Sequence, residues 1–443
     1  MGEKKVSLPE PGAGVGLEDY IAALFQASGH FVEKQIVESD PADVLELDIF
    51  ATDYVPGKIV RRLVEVKGGR WGYTDLFKVV GWMRYLNVQR GAFFVRKWDD
   101  RTTAPSRMKP LGLDVLCLDD FVKAPELFES AGFGSFSEQV LIDVWRSSYF
   151  VERQLVQTIL THAKAGVLGA REARTYYNLI NNGTFFARTP EESLGMLYDA
   201  FKSHPRLTLG YAREIDSGTF DPHSRPTKSA SCSAALRDGK YPELQACMYF
   251  EHRARLTILK AAVDYALGNH DCPPSLLSDN STFDGLSCNS LPVSFQEGMS
   301  WLRRQPNFHR YATFWQQLLW GWGGFYLQDR QDEEFEWMST HSGIPADEIP
   351  VALKAFDRFF PRSGGWFRTP KCGDLRMLIM FPMVFQGIGA AHRFVRYEHR
   401  DSRPELEAGS LLKNNHLAKW FRCTYEFLCE ASASTRSSKS TSA

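Results

Sequence analysis

The chain reads as an α/β domain, a central sheet flanked by helices, joined to a mainly α-helical C-terminal region. Between residues 16 and 125, runs with helical spacing alternate with short runs of strand character, whereas beyond residue 136 helical spacing prevails. At 443 residues, with 44% hydrophobic and 24% charged content, the chain has the balance of a soluble globular protein and is too long for one ordinary core.

The elements follow in order. Gly16-Leu17-Glu18-Asp19-Tyr20-Ile21-Ala22-Ala23-Leu24-Phe25 places apolar residues at helical intervals, and Ser28-Gly29-His30 supplies a stop before the strand Phe31–Val37. Leu47–Ala51 and Arg62–Lys67 alternate as half-buried strands do. Between them Asp53-Tyr54-Val55-Pro56-Gly57 carries turn residues, so the two form a hairpin. After Gly68-Gly69 a helix is expected over Thr74–Leu86, then a compact strand Gly91–Val95, then a last strand Leu113–Leu118 before Asp119-Asp120-Phe121 and a short helix. Gly132-Phe133-Gly134-Ser135 marks a linker, and Val140–Trp145, Gln154–Leu160 and Leu256–Ala262 have the look of helix faces. Asp216–Pro242 and Asn269–Pro292 concentrate Ser, Asp, Gly and Pro and read as loops or subdomain borders. The aromatic run Phe314–Trp322, interleaved with Leu, is taken as helix core rather than a base-stacking platform. The division that results is a flexible N-terminus (1–15), the α/β domain (16–125), a helical recognition, sensing or assembly region (136–430) of one or two subdomains, and a Ser/Thr/Ala-rich disordered tail (431–443).

The chemistry sits in the first domain. Side chains two apart on a strand share a face, so Glu65 and Lys67 point together while Val64 and Val66 face the opposite layer. Asp48, on the paired strand, can project from the same face; Glu46 shares that face too, and Asp48 is preferred because it immediately precedes the apolar Ile49-Phe50. Two carboxylates held close raise one another's pKa unless a cation neutralises them. Magnesium suits the need, since it takes one or two carboxylates plus waters and phosphate oxygens; Asp48, Glu65 and the carbonyl of Val66 would hold it. Lys67 would orient a water or bear charge on a phosphate, and Glu18 would complete the shell through a water or hold Lys67. A Glu-x-Lys tripeptide alone is also an ordinary same-face ion pair; the surrounding helix and strands select the catalytic reading.

The succession of elements, with Glu18, Asp48 and Glu65-Val66-Lys67 at these places, resembles the PD-(D/E)xK nuclease superfamily, closest to Mrr-like restriction endonucleases and archaeal-type Holliday-junction resolvases. The resemblance covers about residues 16–125 and implies a restriction-endonuclease-like fold with a mixed central sheet. It further implies Asp48 and Glu65 as metal ligands, Lys67 as the catalytic lysine, Glu18 as the accessory acid, and Mg2+, or Mn2+ in its place, as the cofactor. The activity implied is endonucleolytic hydrolysis of DNA in bacterial restriction or phage defence; the rival is a silent nucleic-acid-binding, sensor or scaffold protein that keeps the fold. The connection from Asp48 to Glu65 is longer than the family pattern.

Lys58, Arg61, Arg62, Arg70, Trp71, Tyr73, Lys78 and Arg84 surround the site in sequence and could meet phosphates. Arg70 and Lys78 are kept as phosphate contacts, Lys78 because it lies on the helix after the Glu-x-Lys strand. A second basic run, His392 to Arg403, reads as an exposed salt-bridged helix, with a phosphate-facing patch as the alternative. The formal net charge is −1, so any attraction to DNA must come from local patches. Eight cysteines without a Cys-x-x-Cys pair, and an N-terminus lacking an apolar stretch, point to reduced thiols in the cytoplasm. Met377–Ala391 falls short of a membrane span, so no membrane partner is expected. No Gly-x-x-x-x-Gly-Lys-Ser/Thr loop occurs, which assigns any ATP-driven step to a separate ATPase or other defence-system subunit. Double-strand cleavage with one site per chain implies a homo-oligomer.

Overall fold

The computed structural model describes residues 6–7, 10–12, 14–39, 42–98, 102–136, 140–165, 174, 177–178, 180–181, 242–268, 293–322, 325–327, 331–359, 375–377 and 410–411. The expected loops within 216–242 and 269–292, the basic run 392–403, the apolar run after Met377 and the tail 431–443 lie outside the described residues.

The chain opens with α1 (Gly14–Ala27), followed by β1 (Phe31–Ser39), β2 (Asp43–Val55) and β3 (Lys58–Lys67). Then come α2 (Tyr73–Tyr85), β4 (Arg90–Val95), α3 (Ala104–Met108), β5 (Leu113–Cys117) and α4 (Ala124–Ser130). Each expected strand and helix of this region is present, within a few residues of its expected ends. The five strands form one sheet in sequence order. β1, β2 and β3 pair antiparallel, whereas β3, β4 and β5 pair parallel, so the sheet is mixed. The switch has a local cause. Pro56-Gly57, with Gly57 at φ 70°, closes a two-residue turn that reverses the chain, while α2 and α3 carry it back over the sheet as parallel pairing requires. Gly112, at φ 81°, enters β5 where an added Cβ would lie 2.4 Å from the Gln89 carbonyl oxygen.

The two faces of the sheet are covered differently. On one, α2 presents Leu76, Val79, Trp82 and Met83 to Leu63, Phe93 and Val95, and leaves Phe77 and Lys78 in solvent. That is the one-sided stripe of a surface helix. On the other, α1 is buried over most of its length, since it meets the sheet through Ile21, Leu24 and Phe25 and the long helix α5 (Val140–Lys164) beyond it. Phe25, Phe94, Phe128 and Phe133 pack together with centroids 4.7–6.3 Å apart, Phe94 stacked on Phe128 and the other pairs edge to face or tilted. Phe133, inside the segment read as a linker, is thus core, and the apolar cluster on this face runs without a break into the helical layer.

That layer comprises α5, α6 (Pro242–Gly268), α7 (Val293–Leu302), α8 (Tyr311–Gln316) running into a π-helical turn Gln317–Gly321, α9 (Gln331–Ser342), α10 (Ile349–Ala352) and α11 (Ala355–Phe359). The aromatic run is helix core as expected: Trp315 is fully buried, stacks on Phe356 at 4.2 Å and donates its indole N–H to the Ala352 carbonyl at 2.9 Å. Two short antiparallel pairs, Val6–Ser7 with Ser410–Leu411 and Phe325–Leu327 with Leu375–Met377, complete the described structure. Among the described residues no helix is long and apolar enough to cross a membrane.

The seam between sheet and helices is polar at one place. The Gln316 side chain lies against edge strand β1 as a further strand would: Val32 N–H donates to its Oε1 at 3.0 Å, and its Nε2 donates to the Val32 carbonyl at 2.8 Å. Gln26 Nε2 donates to the same Oε1 at 2.9 Å. Replacing Gln316 by Leu keeps the volume but leaves both Val32 backbone groups and the Gln26 amide buried without partners. The Gln316→Leu variant is therefore expected to lose about 2–4 kcal/mol, read from the midpoint of urea unfolding. A loss below about 0.5 kcal/mol would show that the clamp is not structural.

Candidate active site

The site lies where two strands part. The β2–β3 pairing runs from Val55–Lys58 to Ile49–Val64 and stops, while β3 stays paired with β4 as far as Lys67–Val95. Beyond Val64, β3 has no ladder on its β2 side. The Asp48 carboxylate fills that role, accepting a hydrogen bond from Val66 N–H at 2.8 Å. The N–H and C=O of a strand residue point to the same edge, so the Val66 carbonyl faces the same opening.

A backbone irregularity places Asp48 there. β1 and β2 pair Lys34 with Ile49 and Ile36 with Leu47, and Gln35, opposite Asp48, has φ 54°. A non-glycine residue in the left-handed region costs on the order of 1 kcal/mol, so packing on both sides must hold it. Its effect is seen in β2. Leu45 and Leu47 pack on the α2 face, Ile49 and Ala51 on the α1 face, and the half-buried Asp48 sits at the change. Glu46, the other candidate, is exposed.

Glu65 and Lys67 share a face as the strand period requires. Lys67 Nζ lies 2.5 Å from Glu65 Oε1, while the buried Glu65 Oε2 has no hydrogen-bond partner. Burial pushes the Glu65 carboxyl up; Lys67 and Lys78 oppose this and Glu18 adds to it. Asp48 is pushed up to about 7, first by burial and then by the Glu65 charge, against the Val66 N–H, Lys67 and Lys34. Glu18, on α1, is raised by burial and by Asp48. Burial lowers the Lys67 ammonium, but Glu65, Asp48 and Asp75 outweigh it and hold the group above its ordinary value. The structure thus draws Glu18, Asp48, Glu65 and Lys67 into one electrostatic unit.

The surrounding residues divide. Lys78 is exposed, stands 4.3 Å over the Trp82 ring and acts on Glu65 through its charge; Arg70 is exposed in the segment after β3. Arg61 and Arg62 do not face this opening. Arg61 meets Asp264 of α6 at 3.3 Å and Arg62 lies 5.2 Å from the Phe133 ring, both on the helical side. Trp71 packs on Phe93 and donates its indole N–H to the Lys97 carbonyl at 3.1 Å, so it supports the sheet. Two contributors escaped the sequence reading. Asp75 caps α2 by accepting from Gly72 N–H at 2.8 Å and also bears on Lys67; its place three residues after Gly72 was the available signal. Lys34, paired with Asp19 on α1, reaches both Glu18 and Asp48 by charge.

Among the described residues no group of three or more His, Cys, Asp and Glu side chains could hold a metal unaided. A divalent cation that keeps its waters asks for less. Two mutually repelling carboxylates, one orphaned buried oxygen and a carbonyl turned to the same opening fit that smaller demand.

By fold, the chain is a mixed α/β protein whose sheet carries an added helical layer. Comparison with protein-family models, curated proteins and solved structures gives no match.

The Asp48 shift has a sign that can be measured. Its folded value lies above the ordinary carboxylate value, so the stability it contributes is present at low pH and is lost as pH rises through about 7. Asp48→Asn keeps an acceptor for Val66 N–H and removes the charge. Without divalent ions, the variant should gain on the wild type by on the order of 1–2 kcal/mol between about pH 5 and pH 8, by urea unfolding at each pH. A constant difference would mean that Asp48 is not strained by its neighbours.

Proposed function

We propose that this chain is a magnesium-dependent endonuclease of the PD-(D/E)xK type, with a restriction-endonuclease-like fold, that hydrolyses DNA phosphodiester bonds in restriction or phage defence. The observation that carries the reading is the opening between β2 and β3, where Asp48 and the Val66 backbone meet beside the Glu65–Lys67 pair. The antiparallel-then-parallel strand order, with an acidic helix residue facing that opening, supports it.

In this reading Asp48, Glu65 and the Val66 carbonyl hold Mg2+, with Mn2+ as a substitute. The ion supplies positive charge against the phosphate and eases deprotonation of water. Lys67, anchored by Glu65, directs a water at phosphorus and offsets charge on a non-bridging oxygen. Water oxygen bonds to phosphorus and releases a proton to solvent, the bond to one ester oxygen breaks, and that oxygen leaves with a proton from solvent. Glu18 orders a second-layer water and keeps Lys67 in place. Lys78, whose charge reaches Glu65, and the exposed Arg70 after β3 take flanking phosphates, which adds affinity without reading bases. One such site cuts one strand, so a duplex break asks for two copies of the chain.

The direct test is cleavage of plasmid and single-stranded DNA by the full chain in Mg2+ or Mn2+, beside Glu65→Ala and Lys67→Ala. Both variants should lose at least about 100-fold in rate while DNA binding persists. Lys78→Ala should weaken binding and shallow its salt dependence by about one phosphate contact. Mg2+ should raise the melting temperature of the wild type and not of Asp48→Asn; equal stabilisation of both would place the ion elsewhere.

A further inference from the structure

A cavity lies between β1, α5 and α6, with Gln316 and Trp320 at its wall. Its inner volume is about 40 Å³, and its mouth opens to solvent. That inner space suits a compact polar head rather than a whole large ligand.

Its polar lining is unbalanced. The cations are engaged: Lys34 pairs with Asp19, and Arg253 with Glu152 and with the Asn181 side-chain oxygen at 2.9 Å. Lys260 donates to Asp264 at 2.9 Å and stands off from Glu33 Oε2 at 3.9 Å, beyond hydrogen-bonding reach. Three buried polar atoms in the cavity wall have no hydrogen-bond partner, Glu33 Oε2, Gln26 Oε1 and the Tyr149 hydroxyl, and of these Glu33 and Gln26 are acceptors on side chains only 6% and 1% exposed. Phe31, Trp145, Tyr149 and Trp320 supply aromatic surface around them. Buried acceptors without donors are costly, and a carboxylate more so than an amide. Aromatic walls beside such a carboxylate favour a flat cation that bears N–H groups.

We propose that this cavity is a second binding site, and that it takes a compact amidinium or guanidinium cation through Glu33, with the aromatic residues lining the bound group. A larger molecule carrying such a head would extend through the mouth. The site does not rest on the nuclease reading, and nothing in its test depends on DNA cleavage.

Acetamidinium and its neutral isostere acetamide separate charge from shape, and tryptophan fluorescence with calorimetric titration of the full chain reports binding. Acetamidinium should bind saturably, at least about 10-fold tighter than acetamide. Glu33→Gln should abolish that preference, while Tyr149→Phe, which keeps the ring, should preserve it. Equal binding of the two probes by the wild type, no binding of either, or undiminished acetamidinium binding by a folded Glu33→Gln overturns the proposal. Where Glu33→Gln fails to fold by circular dichroism, the comparison of the two probes on the wild type decides.

Discussion

The hydrogen bond from Val66 N–H to Asp48 is what the rest of the candidate site depends on. It lets a strand lose its neighbour without leaving a buried donor unpaired, so β2 and β3 can separate inside a sheet that is otherwise continuous. The separation aligns the Val66 carbonyl with two carboxylates. It also holds those carboxylates together: burial first, and then the Glu65 charge, push Asp48 up, and the hydrogen bond from Val66 works the other way. The cost of keeping both charges side by side is met by packing elsewhere: the α1 face, the α2 face and the left-handed Gln35 all fix β2 where it changes sides.

Much of this was legible in the sequence because it is local. Strand alternation put Glu65 and Lys67 on one face, turn residues over Asp53–Gly57 made the hairpin, although only Pro56-Gly57 form the turn itself, and helical spacing placed α1 and α2. The choice of Asp48 over Glu46 came from the apolar pair that follows it; in the structure Glu46 is exposed and Asp48 half-buried. What could not be read depends on partners far along the chain. Arg61 and Arg62 have the composition of phosphate contacts, yet Asp264 and Phe133 draw them to the other side of the sheet. A glutamine at 316 has no local signature that marks it as the clamp on β1. Gln35, exposed and not a glycine, carries no local signal for its left-handed backbone.

The helical layer contributes more than cover. It buries charge against the back of the sheet: the Tyr54 hydroxyl donates to Asp264 at 2.6 Å, and Lys260 and Arg61 share the same carboxylate, which they hold below its ordinary value although burial pushes the other way. Such networks stabilise little in net terms but penalise misalignment, because removing one member strands the others. They therefore fix the register of α6 on the sheet. Lys34 links the two faces, since it sits in the cavity wall, pairs with α1 and acts on Asp48.

The Gln316 clamp has an outcome for how copies of this chain can meet. An open sheet recruits strands at its edges, through backbone groups that still seek partners. On the β1 side Val32 is saturated by Gln316, and Val37 N–H is taken by the Asn181 carbonyl at 2.8 Å. Strand addition there is barred by a side chain and a loop carbonyl. At these two positions the β1 edge is therefore closed to a strand from a second copy of the chain.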